Sequence, residues 1–465
     1  MSKQALHAVT ESESKQLSTA ARVDHLGVAM TPTDPRCVEI YAKAIRAFNC
    51  YRGDPVAIID EALAIDPNFI MGLVLRAHLH VSMWERSVVP DLRTMLVELK
   101  ALAPQAHDRE QRHIEAIAAW ADGEWDKARL LLEYLSADYP RDVLALQAGH
   151  LGDFYHGDRD NLRGRVARVL PHFTRDDQGY GFLLGMYSFG LEECGSYAEA
   201  EETGRHAMSL EADDCWAHHA VAHVMEMTGR GSEGIAFMQQ RRQHWAQPDN
   251  GLKYHNWWHL ALYHLDHGDS ERAIALYDSG VRADPDAMQL LLLDACAMLW
   301  RLRLQNIDVG QRWEELAAKY GQSAEVGFYA FNDMHAVMAL VANGQQTEAE
   351  KWLAEMHEVE HLTTSNGVMT RTVGLPIARA ICAFGRQRYD DVVSLLMPVR
   401  HRAHAFGGSH AQRDIVHRTL IEAALRAGQA TLAHGLLEER RALRPDCPFT
   451  WQQLRRAEAA QERPA

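Results

Sequence analysis

The sequence predicts an all-α chain, a right-handed superhelical solenoid of about eight helix pairs, and three observations carry that reading. Glycine recurs with a fixed companion: GEWDKA at 123, GSYAEA at 195, GDSERA at 268, GQQTEA at 344 and GQATLA at 428 all read Gly, four residues, Ala. Gly229 and Gly234 repeat the offset. The glycines are spaced by one or two units of a period of about 34 to 42 residues. Proline follows several of these turns, in IDPNF at 65, DYPRD at 138, ADPDA at 283 and RPDCP at 444. Strand signals are nearly absent, with no sustained two-residue alternation and no Asn-Gly joining β-branched runs.

Taken in order, residues 1–20 are expected to be disordered, and 21–465 to form a single continuous solenoid. In each unit the glycine ends the first helix in a left-handed conformation, and the alanine lets the second helix pack closely. The proline then stops the second helix. SNG at 365–367 reads as a loop, PFTWQQLRRAEAA at 448–460 as a capping helix, and QERPA as a disordered tail. This pattern resembles tetratricopeptide (TPR) repeats, which makes the helix pairs TPR-like.

Composition narrows the function. With 465 residues, 47% hydrophobic and 24% charged, the chain can bury a large core. A net charge of -15 argues against nucleic acid and anionic membranes. No secretory signal and no span-length apolar run is read, so a cytoplasmic protein is expected. The seven cysteines are scattered without C-x-x-C spacing and read as reduced apolar residues, with Cys296 the one candidate thiolate nucleophile.

The polar residues of the first helices carry the chemistry. CWAHHAVAHVMEMTG places His219, His223 and Glu226 in one row at spacings of four and three. YHNWWHLALYHLDHG brings His255, Asn256 and His259, and FNDMHAVMALVANG brings Asn332, Asp333 and His335. LLLLDACAMLWRL buries Asp294 in an apolar run, where it needs a partner, and a histidine or arginine of a neighbouring first helix is the natural one. SHAQRDIVHRTLIEAALRAG contributes Gln412, Arg413 and Asp414, so that five consecutive first helices aim polar groups inward. Two histidines one turn apart on each of two helices can hold one divalent metal, zinc or iron, with His219, His223, His255 and His259 as ligands. In GGSHAQRD, Ser409 and Gln412 fit a capping box. The bare loop and helix N-terminus there suit a ligand carboxylate or phosphate, with Arg413 as its anchor.

These segments, together with DACAML, VGQRW and RTVGLP, resemble the tetratricopeptide repeat protein 38 family over the last half of the chain, and more weakly from about residue 37. The resemblance implies a helical solenoid and carries over the polar residues above together with Arg371. His218 and Thr372 depart from the family pattern, so no role is carried to them.

The resulting expectation is a site on the concave wall for a small anionic molecule, extending to acid-base or metal-assisted chemistry on it. His219, His223, Glu226, His255, His259 and Asp294 are the catalytic candidates. Asn256, Asn332, Asp333, His335, Arg371, Gln412, Arg413 and Asp414 are the binding candidates. Asp294, Asp333 or Asp414 would orient an imidazole. The alternative is a scaffold that binds another protein in its groove, which expects these positions exposed and spread out. Oligomeric state and reaction are left open.

Overall fold

The structure, a computed structural model, describes residues 21–284, 289–323 and 325–462. The disorder expected of residues 1–20, Pro285 of the ADPDA turn, and residues 463–465 of the tail lie outside the described residues.

Helix follows helix along nearly the whole chain, as expected. First helices open at Pro35, Ile70, Asp108, Val143, Tyr180, Cys215, Lys253, Gln289, Ala330, Ser365 and His410, each followed after a short turn by a second helix, and Pro448–Gln461 comes last. Among the described residues that makes eleven pairs, where the sequence pointed to about eight. The turn glycines 123, 195, 229, 268, 344 and 428 all have φ between 72° and 85°. The alanines five residues on, Ala128, Ala200, Ala273, Ala349 and Ala433, are buried. At Gly234 a Cβ would stand 2.5 Å from the Tyr263 ring, which is why glycine replaces alanine there.

The uncounted pairs lack the full signature. Gly157 precedes buried Leu162 instead of alanine, and the turn before buried Val392 is made by Gln387 at φ 59°. The SNG segment is not a loop: Ser365–Met369 is a helix start capped by the Thr364 hydroxyl, and a π-helical turn at Thr370–Gly374 leads into Leu375–Gly385. This pair lies between the FNDMH and SHAQRD helices, so those two are not consecutive.

A second departure is at the N-terminal end, where Ala21–Val23 and Ala29–Thr33 form an antiparallel hairpin rather than solenoid. Asp24 closes it by accepting the N–H groups of Leu26 and Val28. The strands are too short, and one contains Pro32, for a two-residue period to be read.

The chain divides into two compact units. Among the described residues, the first comprises 21–84 with Val88–Gly149 and Arg165–Tyr180; the second comprises Glu85–Ser87, His150–Gly164 and those from Gly181 onward. Within the second unit, Lys253–Asp266 packs on Gln289–Leu304, which packs on Ala330–Ala342. His410–Arg426 returns against both Gln289–Leu304 and Cys215–Met227. No helix of the described residues is long and apolar enough to cross a membrane.

Candidate metal centre

The helix Cys215–Met227 is capped by Asp214, whose carboxylate accepts the N–H groups of Trp216 and Ala217, and it ends before Gly229. All its residues are buried, so the histidine row faces a neighbouring helix and not an open groove. That neighbour is Lys253–Asp266, which presents its own one-turn pair, His255 and His259.

The four imidazoles converge, each offering a nitrogen within 4.8 Å of the others'. His255 Nε2 is 2.9 Å from His219 Nε2 and 3.2 Å from His259 Nε2. The His223 ring stands edge-on to those of His219 and His259, centroids 4.4 Å away from each. His219, His223 and His259 are buried, while the His255 side chain keeps 12% of its surface exposed and forms the rim.

Behind three of the imidazoles stands a carboxylate. His255 Nδ1 donates to Asp294 Oδ2 at 2.6 Å, which supplies the partner Asp294 needs. His259 Nδ1 donates to Glu226 Oε2 at 3.2 Å, and His223 Nδ1 lies 3.6 Å from Glu192 Oε2. Burial pushes Asp294 and Glu226 up, but His255 with Gln412, and His259 with Arg444, outweigh it and keep both below the usual carboxylate range. Burial, reinforced by the neighbouring imidazoles, holds His219 and His223 well below 6.5, and His259 below it despite Glu226. At His255 and His259 a carboxylate takes the Nδ1 proton, which leaves Nε2 as the atom that a metal would use.

The start of His410–Arg426 closes the wall behind this cluster. The Ser409–Gln412 capping box forms, and the Gln412 amide donates to Asp294 Oδ1 at 3.2 Å. The helix N-terminus does not stand open for a ligand anion, because Glu193 fills it. Glu193 Oε1 accepts the His410 N–H at 2.7 Å, and Oε2 pairs with Arg413 at 2.9 Å. Arg413 also donates to the Gly408 carbonyl, so it is an internal counterion rather than a free anchor.

Glu192, Glu193 and His410 were not singled out from the sequence. Their side-chain donor atoms lie within 4.8 Å of one another. Both Glu192 oxygens are buried without a hydrogen bond, and burial pushes that carboxyl up to about 7. The signal was GLEECG, two glutamates on a first helix just before the Gly195 turn, which reads equally well as a solvated helix end.

Other candidates fall elsewhere. Asp414 orients no imidazole; it is buried among Arg418, Arg440 and Arg444. Asp333 accepts from the Gly327 N–H and Trp352 Nε1, and burial raises it to about 7. Asn332 accepts from the Tyr320 hydroxyl at 3.5 Å, and His335 Nδ1 bonds its own helix at Phe331 O. Asn256 is buried beside His218. Arg371 is exposed and donates to the Glu360 carbonyl. Cys296 is no nucleophile: it is fully buried, its thiol donates to the His335 carbonyl, and burial raises it well above the usual thiol range.

No protein-family profile matches the chain. Among solved structures, it is similar to yeast Tom70, with 13% identity, a TM-score of 0.37, and 91% of this chain and 88% of that one covered. It is similar to the human IFIT1 dimer with PPP-AAAA at 12% identity and a TM-score of 0.42, covering 91% and 95%. The APC/C hetero-tetramer Cut9-Hcn1 gives 11% identity and a TM-score of 0.30, covering 91% and 96%.

Proposed function

We propose that this chain is a metalloprotein whose four-imidazole cage holds one divalent transition-metal ion, zinc by preference, for acid-base chemistry on a small molecule. The observation that carries the reading is the 3.2 Å approach of His255 Nε2 to His259 Nε2. Both rings have their Nδ1 proton committed to a carboxylate, so two lone pairs face each other with no hydrogen between them. A proton on His219 Nε2 satisfies the contact to His255 but leaves this one repulsive. A cation at the centre removes the conflict. Tetrahedral zinc, with Zn–N about 2.0–2.1 Å, sets its ligand nitrogens about 3.3–3.4 Å apart, close to the spacing seen here.

Charge supports the same reading. The buried carboxylates Asp294, Glu226 and Glu193 answer to only two guanidiniums, Arg413 and Arg444, and Glu192 adds to the deficit when it is ionised, a balance that suits a bound cation. Four imidazoles would fill a tetrahedral shell, so chemistry at the ion would need one position to open; His255, the partly exposed ligand, is the residue that would yield it to a water or carbonyl, which the nitrogen-bound ion would then acidify or polarise. Asp294 and Glu226 fix the tautomers of His255 and His259, and Glu192, between His223 at 3.6 Å and His410 at 3.7 Å, is placed to hold a proton. The small molecule enters on the His255 side. A protein-binding scaffold expects the polar positions exposed, whereas His219, His223, His259 and Asp294 are buried. Membership of the tetratricopeptide repeat protein 38 family is part of this proposal, since HNWWHLALY and GGSHAQRD meet at Asp294 through His255 and Gln412.

The test has two stages. Cobalt(II) titrated into the chelated full chain should give the intense visible bands of a tetrahedral centre, absent in His259→Gln. Metabolite extract incubated with metal-loaded protein should then lose a compound that chelated protein and His259→Gln leave untouched. Without cobalt bands the cage reading fails; with bands but no metal-dependent turnover, the acid-base reading alone fails.

A further inference from the structure

The second unit holds another cluster of buried charge, and its balance has the opposite sign. Arg301, Arg418, Arg440 and Arg444 are all buried, facing the carboxylates Asp414, Asp266 and Glu226. Arg418 bridges Asp414 at 2.6 Å and Asp266 at 2.8 Å, and Arg440 pairs with Asp414. Arg444 reaches Glu226 at 3.6 Å. Arg301 has no carboxylate partner among the described residues. It donates to the carbonyls of Ala297 and Ala411 and lies 5.2 Å from the Trp258 ring centre. Burial and the nearby Arg418 lower it to about 10, the mark of an uncompensated cation.

Arg301 and Arg418 line one small cavity of about 10 Å³, together with Gln305, Glu422, Gln453 and the Phe449 ring. Three buried donors among these residues have no acceptor: Arg301 Nε, Arg418 Nη1 and Gln305 Nε2. The acidic member, Glu422, is already held by Arg426 and Arg456, each at 2.5 Å, and supplies no counter-charge.

We propose that this cavity binds one small monoatomic anion of the chloride class, held by Arg301, Arg418 and Gln305. So small a cavity suits a single compact anion better than a carboxylate, phosphate or sulfate, whose several oxygens need more room. A water accepts two hydrogen bonds and carries no charge, so it would leave a donor and the buried surplus unanswered. A halide accepts from all three donors and cancels the surplus.

The test is thermal unfolding of the full chain in sodium chloride or bromide against sodium gluconate at equal ionic strength. The unfolding midpoint should be several degrees higher in halide, the gain should saturate with concentration, and it should vanish in Gln305→Leu. Arg301→Met is expected to lose the same gain; Gln305→Leu keeps the test available if that variant does not fold. Crystals grown in bromide should show an anomalous peak in the cavity. Equal midpoints in halide and gluconate, a gain that persists in Gln305→Leu, or a water in place of the anomalous peak each overturns the proposal.

Discussion

Both units bring two imidazoles within hydrogen-bonding distance, and the two meetings are built in opposite ways. In the first unit His78 Nε2 lies 2.9 Å from His113 Nδ1, and His113 Nε2 lies 2.9 Å from Asp142. One proton assignment satisfies that line: His113 donates to Asp142, and His78 donates to the lone pair this frees. Arg109 neutralises Asp142 at 2.6 Å and reaches Asp24 of the hairpin at 2.8 Å. In the second unit His255 and His259 each give their Nδ1 proton to a separate carboxylate, so no assignment of neutral rings satisfies the Nε2 contact between them. Proximity of histidines therefore says little. Where their protons are committed says whether a cluster is a finished network or a ligand set.

The largest effects expected should separate the two units cleanly. Asp142→Ala leaves Arg109 buried with half its counter-charge and strips His113 of its acceptor, and should cost about 3–5 kcal/mol in urea unfolding while metal content stays unchanged. Chelation should do the reverse. At metal a thousandfold above Kd its removal costs about 4 kcal/mol. Hydrogen exchange should show lost protection in Cys215–Met227 and Lys253–Asp266, with Ile70–Met83 and Asp108–Ala121 unaffected. Uniform loss across both units would erase the distinction.

A smaller effect tests the backing carboxylates. Asp294→Asn keeps the shape and the bond to Gln412 but weakens the hold on the His255 tautomer, and should lower zinc affinity about 10- to 100-fold in a competition titration. Unchanged affinity would mean that His255 is not a ligand.

The smallest is a pH effect in the first unit. Burial and the adjacent His113 hold His78 well below 6.5. Between that lowered value and 6.5 the unfolded chain binds a proton that the fold refuses, so stability falls as pH drops below 6.5, by at most about 1.4 kcal/mol per pH unit for this group. Burial pushes Asp142 up, but Arg109 and His113 outweigh it and depress its pKa, so its contribution is full above about 3.9 and is lost only in stronger acid. Protection of Ile70–Met83, corrected for intrinsic exchange, should therefore decline from pH 7 to 5.5, and His78→Gln should flatten the decline. A decline that survives His78→Gln would assign it to another group.

Much of this was legible in the residues. Gly-x-x-x-x-Ala located the turns because a left-handed residue and a close helix contact are local demands that few side chains meet. Gln387 and Gly157 escaped because a non-glycine can take the left-handed turn and leucine can take the contact. The row of His219, His223 and Glu226, and an aspartate stranded in LLLLDACAML, marked the cluster because helix spacing and the cost of burying a charge are both readable in one dimension. Glu192 and Glu193 were not readable, since whether a glutamate at a helix end meets water or an imidazole depends on which helix returns to cover it. His410–Arg426 returns here from 217 residues away in sequence, the separation of His410 from Glu193. His78, His113 and Asp142 stayed hidden for the same reason, His78 and His113 lying on different helices and Asp142 just before a third.

The most direct measurement is the metal content of the full chain, purified without a histidine tag, reconstituted with zinc and freed of excess. Mass spectrometry should find about one zinc per chain in the wild type and in His113→Gln, and less than about a tenth in His259→Gln with the fold retained. Zinc that is absent from the wild type, or as abundant in His259→Gln as in His113→Gln, would contradict the account.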